Sequence, residues 1–534
     1  KPTDEKPLFL NASVMNDTKT DFNVASSLQM GEKWSTVLLG HVSGNFRTFD
    51  HNHDGFMDDP EMFQVNVANR WLYYGPTGVQ VRFGLRGLQD MRKGGQSGYD
   101  YKKYTLSSTS PWGSDIVNRQ LNTYVKVGVP ISADNAKNIA FVADYTLTDM
   151  NLRAGASKYL ARQNSGFFNV LFQDEINDSH KFTLALGGTA DWFSEDFMRK
   201  VAAQKLDSGK TSKAFYNAGV SGEYTFHAGE KFSSILGFRG DWFNGEGFKA
   251  VPRLTLKYSP LEQIVLRANG GRGLRLALPV IDNIGVLSTG KAFTGAYSDH
   301  LLEDAWTFGG NATFYLPFGA SDDTYLSFDY FGTRFAEQMV VDYEHGLNAI
   351  DFYALGGKRS YSNNYQVDFN VEAFRRFTVS ATFRYTDAKV ELEGRGLVER
   401  PMTSRYKGVL NLQYATNLNK WIFDFTASVN GKSRVYEFMK GLRGDDGELL
   451  YKDGYTPVYP LLYLQVTKRF KGVDLYLGAE NLTNFRQKNL VIGTAIEGMS
   501  GHVDASRPDF DASAVWGPIM GTKFYLGARF TLWK

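Results

Sequence analysis

The chain has 534 residues with 59 basic and 57 acidic side chains, a net charge of +2, which excludes a partner selected by bulk charge such as a nucleic acid. No segment reaches the run of about 18 apolar residues that a helical membrane span requires, and the lack of cysteine removes disulfides, thiolate metal sites and thiol catalysis. Aromatic residues make up 15% of the chain (40 Phe, 29 Tyr, 9 Trp) and glycine contributes 54 residues, a composition suited to strands and turns.

The start, Lys1-Pro2-Thr3-Asp4-Glu5-Lys6, is polar and lacks the apolar core of a signal peptide, so the numbering is expected to begin inside a longer, processed product. From there, alternation predicts 22 strands, beginning near residues 8, 21, 34, 62, 78, 118, 138, 165, 180, 213, 231, 248, 263, 304, 324, 358, 377, 405, 420, 459, 473 and 519. In the sixteenth, Tyr365, Val367, Phe369, Val371 and Ala373 make one face, and Gln366, Asp368, Asn370 and Glu372 the other. Arg375-Arg376 turns the chain, and the next run sets Phe377, Val379, Ala381, Phe383 and Tyr385 against Thr378, Ser380, Thr382 and Arg384. The C-terminal run repeats the pattern, with Phe524, Leu526, Ala528, Phe530 and Leu532 on one side.

The connections decide between a soluble and a membrane β protein. Short links such as Gly31-Glu32-Lys33, Gly75-Pro76-Thr77, Ala228-Gly229-Glu230, Pro260-Leu261-Glu262 and Lys471-Gly472 interleave with long ones near 49–61, 91–117, 195–212, 272–303, 336–357, 432–458 and 485–518. A soluble propeller or multi-domain sandwich rarely carries so many long loops. A transmembrane barrel does, with short periplasmic turns at one rim and long extracellular loops at the other, and its closure requires an even strand count. The predicted fold is therefore all-β: one 22-stranded antiparallel transmembrane β-barrel over residues 1–534, set in the outer membrane, with residues such as Glu372 and Arg384 facing a wet lumen.

One ligand motif is sharp. Residues 50–61, Asp50-His51-Asn52-His53-Asp54-Gly55-Phe56-Met57-Asp58-Asp59-Pro60-Glu61, fit D-x-[DN]-x-[DN]-G-x5-E. Oxygens of Asp50, Asn52, Asp54, the Phe56 carbonyl, Asp58 and Glu61 are spaced to converge on calcium, with Gly55 allowing the turn. The flanks read as strands, so the motif is not a helical EF-hand; Pro60 works against Glu61 reaching the ion, and an acidic hairpin tip with Asp-Gly serving the turn alone is the alternative. His51 and His53 would suit a softer ion such as zinc, but alternate with the acids and are expected to point away. Loop 91–117 carries Tyr99, Tyr101, Tyr104 and Trp112 among Gly and Ser, suited either to a bulky, partly apolar ligand or to loop packing. Loop 485–518 holds Arg486, Lys488, His502 and Arg507, which can meet an anionic ligand or simply be solvated. No Gly-x-Ser-x-Gly, His-Glu-x-x-His or phosphate loop occurs, so no enzyme activity is expected.

Several stretches resemble the barrel of TonB-dependent outer-membrane receptors. Pro252-Arg253-Leu254-Thr255-Leu256-Lys257-Tyr258-Ser259-Pro260 is similar to the hairpin before that family's seventh loop. Gly271-Arg272-Gly273-Leu274-Arg275 and Leu302-Glu303-Asp304-Ala305-Trp306 resemble the loop and the strand that follows it. Gly478-Ala479-Glu480-Asn481-Leu482-Thr483-Asn484 resembles the signature of the penultimate strand, and Phe510-Asp511-Ala512-Ser513-Ala514-Val515-Trp516-Gly517-Pro518 looks like the Bacteroidota branch.

That resemblance implies TonB-energised import of a scarce ligand, with TonB acting through an N-terminal plug. This sequence departs from the family there, because a strand is expected from near Leu8; the plug is expected to have been cleaved, to be disordered or not to be included in these residues. The stretch Asn52, Asp54, Gly55, Phe56 in the second outer loop is similar to the calcium-binding loop of the family's vitamin B12 receptor, and implies a cobalamin or other corrinoid ligand; Asp100, and less so Asp90, would add a third-loop carboxylate. A siderophore or haem is the alternative ligand, with His300, His345 and His502 too scattered to favour haem. A passive porin or structural barrel is the alternative of another class. Membrane lipid or lipopolysaccharide and a surface lipoprotein capping the loops are further expected partners.

Overall fold

The computed structural model describes residues 6–51, 53–103, 106, 111–132, 136–201, 205–346, 348–444, 446–488, 491–493 and 503–532. In it, 22 antiparallel strands form one closed wall, and the first strand, Leu8–Met15, pairs with the last, Lys523–Leu532. A further segment, Gly396–Glu399, folds back on the strand before it and adds nothing to the wall. Closure is what lipid demands: an open edge would leave a row of amides and carbonyls without partners in hydrocarbon.

Every predicted strand is present, most within three residues of its expected start. Cross-strand pairs share a face, so the register shows which side each residue takes. Tyr365 pairs with Tyr385, Val367 with Phe383 and Phe369 with Ala381, and this apolar series faces lipid. Around the wall the same face carries Leu184, Leu186, Val220, Leu236 and Leu254, all exposed in the isolated chain. Aromatic residues border this band. Trp34, Trp71, Tyr73 and Phe83 cluster at the rim of short turns, with Trp34 and Tyr73 ring centres 4.8 Å apart. Trp192, Tyr216 and Trp242 mark the rim of long loops. Amphipathic rings settle at membrane–water interfaces, so these two girdles bound the lipid-embedded height.

The strands are unequal, and this corrects one sequence expectation. Residues 195–201 and 205–212 are strand, not parts of a long loop. Strands His180–Val201 and Lys205–Ala228 continue through that region in unbroken register, pairing Val201 with Lys205. With Lys137–Ala154 and Ser157–Asn177 they make a blade that rises beyond the membrane on the side of the long loops. A crossing needs only roughly 9–11 residues, whereas these strands have 18 to 24. The reason is a change of phase. Within the membrane the outward residues Leu184, Leu186 and Trp192 are apolar, but beyond Trp192 Phe193, Phe197 and Val201 face inward and are buried, while Met198 stays exposed on the outer face. Alternation continues while its meaning reverses, so a pattern read for one apolar face ends early. The links at 16–19, 155–156 and 244–246 on the same rim are tight, so long and short links do not alternate throughout.

The long loops do not stand free. A three-stranded sheet of Ala292–Gly295, Ala349–Ala354 and Met339–Asp342 lies over the mouth. With the turn segment Ile281–Ser288 it packs Val286, Leu287, Phe293, Ile350 and Phe352 against Tyr159, Phe193 and Phe197 of the blade. Loops 431–458 and 503–518 join through Val435, Met439, Tyr451 and Ala514. The result is a packed dome over one side of the lumen.

The reversal of faces predicts a sharp contrast in substitution. Leu186→Arg, on the lipid face, should cost about 2–4 kcal/mol if near the bilayer midplane, while Thr183→Arg on the lumen face should cost far less. Urea-dependent folding into lipid vesicles measures both.

Candidate functional site

Beneath the dome lies a cavity of about 820 Å³. Its walls are the inner faces of strands Ile264–Ala277, Leu301–Tyr315, Tyr325–Glu337 and Phe377–Leu392, near the ends that carry the long loops. Its roof is the segment 338–344 with Tyr436 and Arg400. The volume lies within the range of sites that enclose a small ligand, roughly 300–1,000 Å³.

Paired charges hold the roof. Arg275 joins wall to loop, with Nε 3.0 Å from Glu303 and Nη2 2.8 Å from Asp282. The other carboxylate oxygen of Glu303 accepts the amide of Met339 at 3.1 Å, which starts the roof strand. Glu344 is the hub: Arg434 donates to both of its oxygens at 3.0 and 2.7 Å, Arg395 approaches at 3.2 Å, and the amide of Glu437 donates at 2.8 Å. Arg395 also donates to Asp342 at 2.6 Å. Burial pushes the Glu344 carboxyl up, but the hydrogen bond and charge of Arg434, the Glu437 amide and the charge of Arg395 together outweigh it, and its pKa lies below the ordinary value.

Deeper in the roof, Lys291 is buried, donates to the Tyr343 carbonyl at 2.9 Å and lies 4.1 Å from the centre of the Phe438 ring. Burial pulls the Lys291 ammonium down and pushes the Asp511 carboxyl up, each opposed by the other's charge. Arg199, fully buried at the blade's inner face, donates to the carbonyls of Val286 and Thr289 at 3.1 and 2.8 Å and lies over Phe293.

Over the cavity, Tyr343 and Tyr436 stack with ring centres 5.1 Å apart. Arg400 is exposed and has no ion-pair partner among the described residues. A stacked aromatic pair beside an uncommitted guanidinium suits a ligand that is partly flat and partly anionic. None of Glu344, Arg434, Arg400 or Tyr436 was marked by the sequence reading. Their signal was weak, because they lie singly in loops and meet only across the mouth.

The sequence-marked residues lie elsewhere, in the second and third loops. Asp50 accepts the amides of Asp54 and Gly55 at 3.2 and 3.0 Å, and Asp54 accepts that of Phe56 at 2.8 Å. Asp58 is buried and takes the amide and ring nitrogen of His51 at 2.7 and 3.0 Å. Glu61 opens the fourth strand and pairs with Lys93 at 2.8 Å, while Asp59 and Asp17 share Lys523. Asp100 caps the amide of Lys102 at 3.0 Å, and Asp90 pairs with Arg92 at 3.1 Å. Asn52 lies outside the described residues. No group of three or more His, Asp or Glu able to hold a metal occurs among the described residues. As folded here, Asp50, Asp54, Asp58 and Glu61 are engaged with amides and cations of the protein.

The third-loop aromatics are divided. Trp112 is buried against Phe56, Ala156, Val503 and Phe510. The Tyr99 ring covers Gly113, leaving no room for a Cβ, and its hydroxyl donates to Asp115 at 3.0 Å. Tyr101 lies in a single turn, Tyr101–Lys103, and Tyr104 is outside the described residues, as is His502. The Asn481-Leu482-Thr483-Asn484 element is a strand-ending turn, where Asn481 adopts φ 49° and donates to the carbonyls of Phe485 and Met520 at 2.8 and 3.0 Å.

No protein-family model and no curated protein matches this sequence. Solved structures do. The ferric-catecholate import receptor Fiu of Escherichia coli K12 superimposes with a TM-score of 0.66 at 12% identity, over 99% of this chain and 82% of that one. The siderophore receptor PirA of Pseudomonas aeruginosa gives 0.62 at 11%, over 98% and 80%, and the copper transporter OprC gives 0.69 at 11%, over 99% and 81%. The fold is the 22-stranded barrel of these outer-membrane receptors. With its apolar belt and two girdles, such a barrel resides in the outer membrane.

The hub makes a pH prediction. The folded pKa of Glu344 is depressed, so its ion pairs contribute in full at neutral pH and are lost as pH falls through that value. Glu344→Gln should loosen the dome at pH 7, as breaking a buried pair costs about 3–5 kcal/mol. Acidification below the ordinary carboxylate range should do the same in the unsubstituted chain. Proteolysis within 431–458 and amide exchange report both.

Proposed function

We propose that this barrel imports a metal chelate of siderophore type across the outer membrane, captured in the cavity beneath the dome. The supporting observation is the cavity itself: walled by strands and roofed by loop residues, of small-molecule size, with stacked Tyr343 and Tyr436 and with Arg400, which has no ion-pair partner among the described residues, at its roof. A ferric chelate with aromatic or hydroxamate arms offers flat surface to the tyrosines and negative charge to the guanidinium. Solved relatives of this fold include receptors for siderophores and ferric catecholate and a transporter for copper, which favours the same ligand class. Energy from TonB, a plug within the lumen, a Bacteroidota origin and a lipoprotein over the loops belong to the proposal through sequence resemblance.

Binding tests it directly. Quenching of tryptophan fluorescence by a panel of ferric siderophores should reveal a ligand, and Arg400→Ala or Tyr436→Ala should each weaken it about tenfold, or about 1.4 kcal/mol. Unchanged affinity in both variants would remove the cavity from the account. Steady conductance by the purified protein in planar bilayers would favour a passive pore instead.

The corrinoid reading rests on the 50–61 spacing. It requires Glu61 to leave Lys93 and Asp50 to release two amides before a calcium ion can be held. Cyanocobalamin binding abolished by EDTA and restored by calcium is its expected signature; a ferric chelate bound equally well with and without EDTA is the signature of the cavity reading.

A further inference from the structure

The roof of the cavity is the edge of a sheet. In the three-stranded loop sheet Ala349–Ala354 lies in the middle, and Met339–Asp342 pairs with it on one side only. Every residue from Gln338 to Glu344 lines the cavity. A sheet face would present alternate residues, so a consecutive run means that this strand meets the cavity edge-on.

Register fixes which backbone groups the edge carries. The Leu355 amide donates to the Gln338 carbonyl at 2.8 Å, so Gln338, Val340 and Asp342 turn their backbone groups toward the central strand. Met339, Val341 and Tyr343 turn theirs the other way. Two contacts agree with this phase: Glu303 accepts the Met339 amide at 3.1 Å, and the Tyr343 carbonyl accepts Lys291 at 2.9 Å. Between them, the Met339 carbonyl, the amide and carbonyl of Val341 and the Tyr343 amide have no hydrogen-bond partner among the described residues. An unpaired edge is a template for another strand, and adding one is a general mode of peptide recognition. Small residues of the barrel wall, Gly273, Ala305, Ser362 and Ala388, line the same cavity and leave room for a chain about 4.8 Å from the roof strand.

Charge selects the direction of such a chain. At the Met339 end, Glu303 and Asp282 share the one guanidinium of Arg275, which leaves a net negative charge. At the Tyr343 end, Asp342 and Glu344 are matched by Arg395 and Arg434. Arg400 is left over there, acting by its charge on Tyr436, whose ring stacks on Tyr343. A peptide with its ammonium at the first end and its carboxylate at the second lies parallel to the roof strand. Two of its residues then make four hydrogen bonds, donating to the carbonyls of Met339 and Val341 and accepting from the amides of Val341 and Tyr343. From Met339 to Tyr343 the strand advances four rises of about 3.3 Å, roughly 13 Å. That length suits a peptide of about four or five residues.

We propose that the cavity binds a short peptide as a fourth strand on the edge Met339–Tyr343, either as a free oligopeptide or as the backbone of a chelate. The inference rests on the reading of this cavity as the capture site and adds the chemistry of the ligand's backbone.

Isothermal titration calorimetry of the full chain in detergent, with penta-alanine as the probe, tests it. The expected result is saturable binding, weakened about tenfold by N-acetylation and about tenfold by C-terminal amidation. Methylation of single backbone nitrogens gives the sharper readout. It should abolish binding at the second and fourth residues, whose N–H groups meet the roof strand, and spare it at the third, whose N–H points away. Arg400→Ala should bind free and amidated peptide alike, and Val341→Pro, which removes one edge amide, should lose about tenfold. The methylation series on the unsubstituted chain decides alone if Val341→Pro does not fold. Tighter binding of a ferric hydroxamate carried on a peptide backbone supports the chelate source, and equal binding of penta-alanine supports the free oligopeptide. Equal loss at the second, third and fourth nitrogens, or equal binding of free and blocked termini, overturns the proposal. A ferric catecholate without peptide bonds that binds where no peptide does overturns it and leaves the import reading in place, whereas binding of neither class overturns both.

Discussion

The structure depends on a single constraint: in hydrocarbon, every backbone amide and carbonyl needs a partner within the protein. The ladder between Leu8–Met15 and Lys523–Leu532 meets it by removing the last free edge. Once the wall closes, side chains are divided into two sets, one toward lipid and one toward the lumen, and period-2 alternation becomes obligatory over the embedded height. Because the wall rather than a packed interior carries the fold, the lumen can hold polar networks. Asn311, Ser327 and Asp329, joined at 2.7 and 2.8 Å, form one such network.

Above the membrane the constraint changes, and so does the polarity of the same strands. Water replaces lipid outside, and folded loops replace water inside. His180–Val201 passes through both regimes, apolar outward at Leu184 and Leu186, apolar inward at Phe193 and Phe197. The inner face at this height is where the loop sheet docks, and the outer face at the same height carries Asp149, Arg162 and Asp196. One reversal of phase thus creates both the support for the dome and the polar outer wall.

The dome is held differently from the wall. Beside its apolar core of Val286, Leu287, Ile350 and Phe352 against the blade, it carries buried cations that find carbonyls, rings and carboxylates: Arg199 over Phe293, Lys291 over Phe438, Arg434 on Glu344. Such groups are costly to bury unless fully partnered, so they specify one arrangement of loops over the mouth.

What the sequence determined by itself is the wall: all-β class, the number of its strands and most of their starts, the lipid face of Tyr365 and Leu526, the turn at Arg375-Arg376. Each of these needs only local period and the partition of a side chain between lipid and water, and both are present in a short window. The motif at 50–61 was equally visible, yet its carboxylates find partners from other strands, Lys93 and Lys523, which spacing alone does not reveal. Tertiary structure alone decided the blade, the dome and the cavity. The blade was hidden because alternation reversed its meaning beyond Trp192. The dome and cavity were hidden because their determining contacts join residues far apart in the chain, 90 positions for both Arg199–Thr289 and Arg434–Glu344, and no local pattern encodes a meeting at that distance.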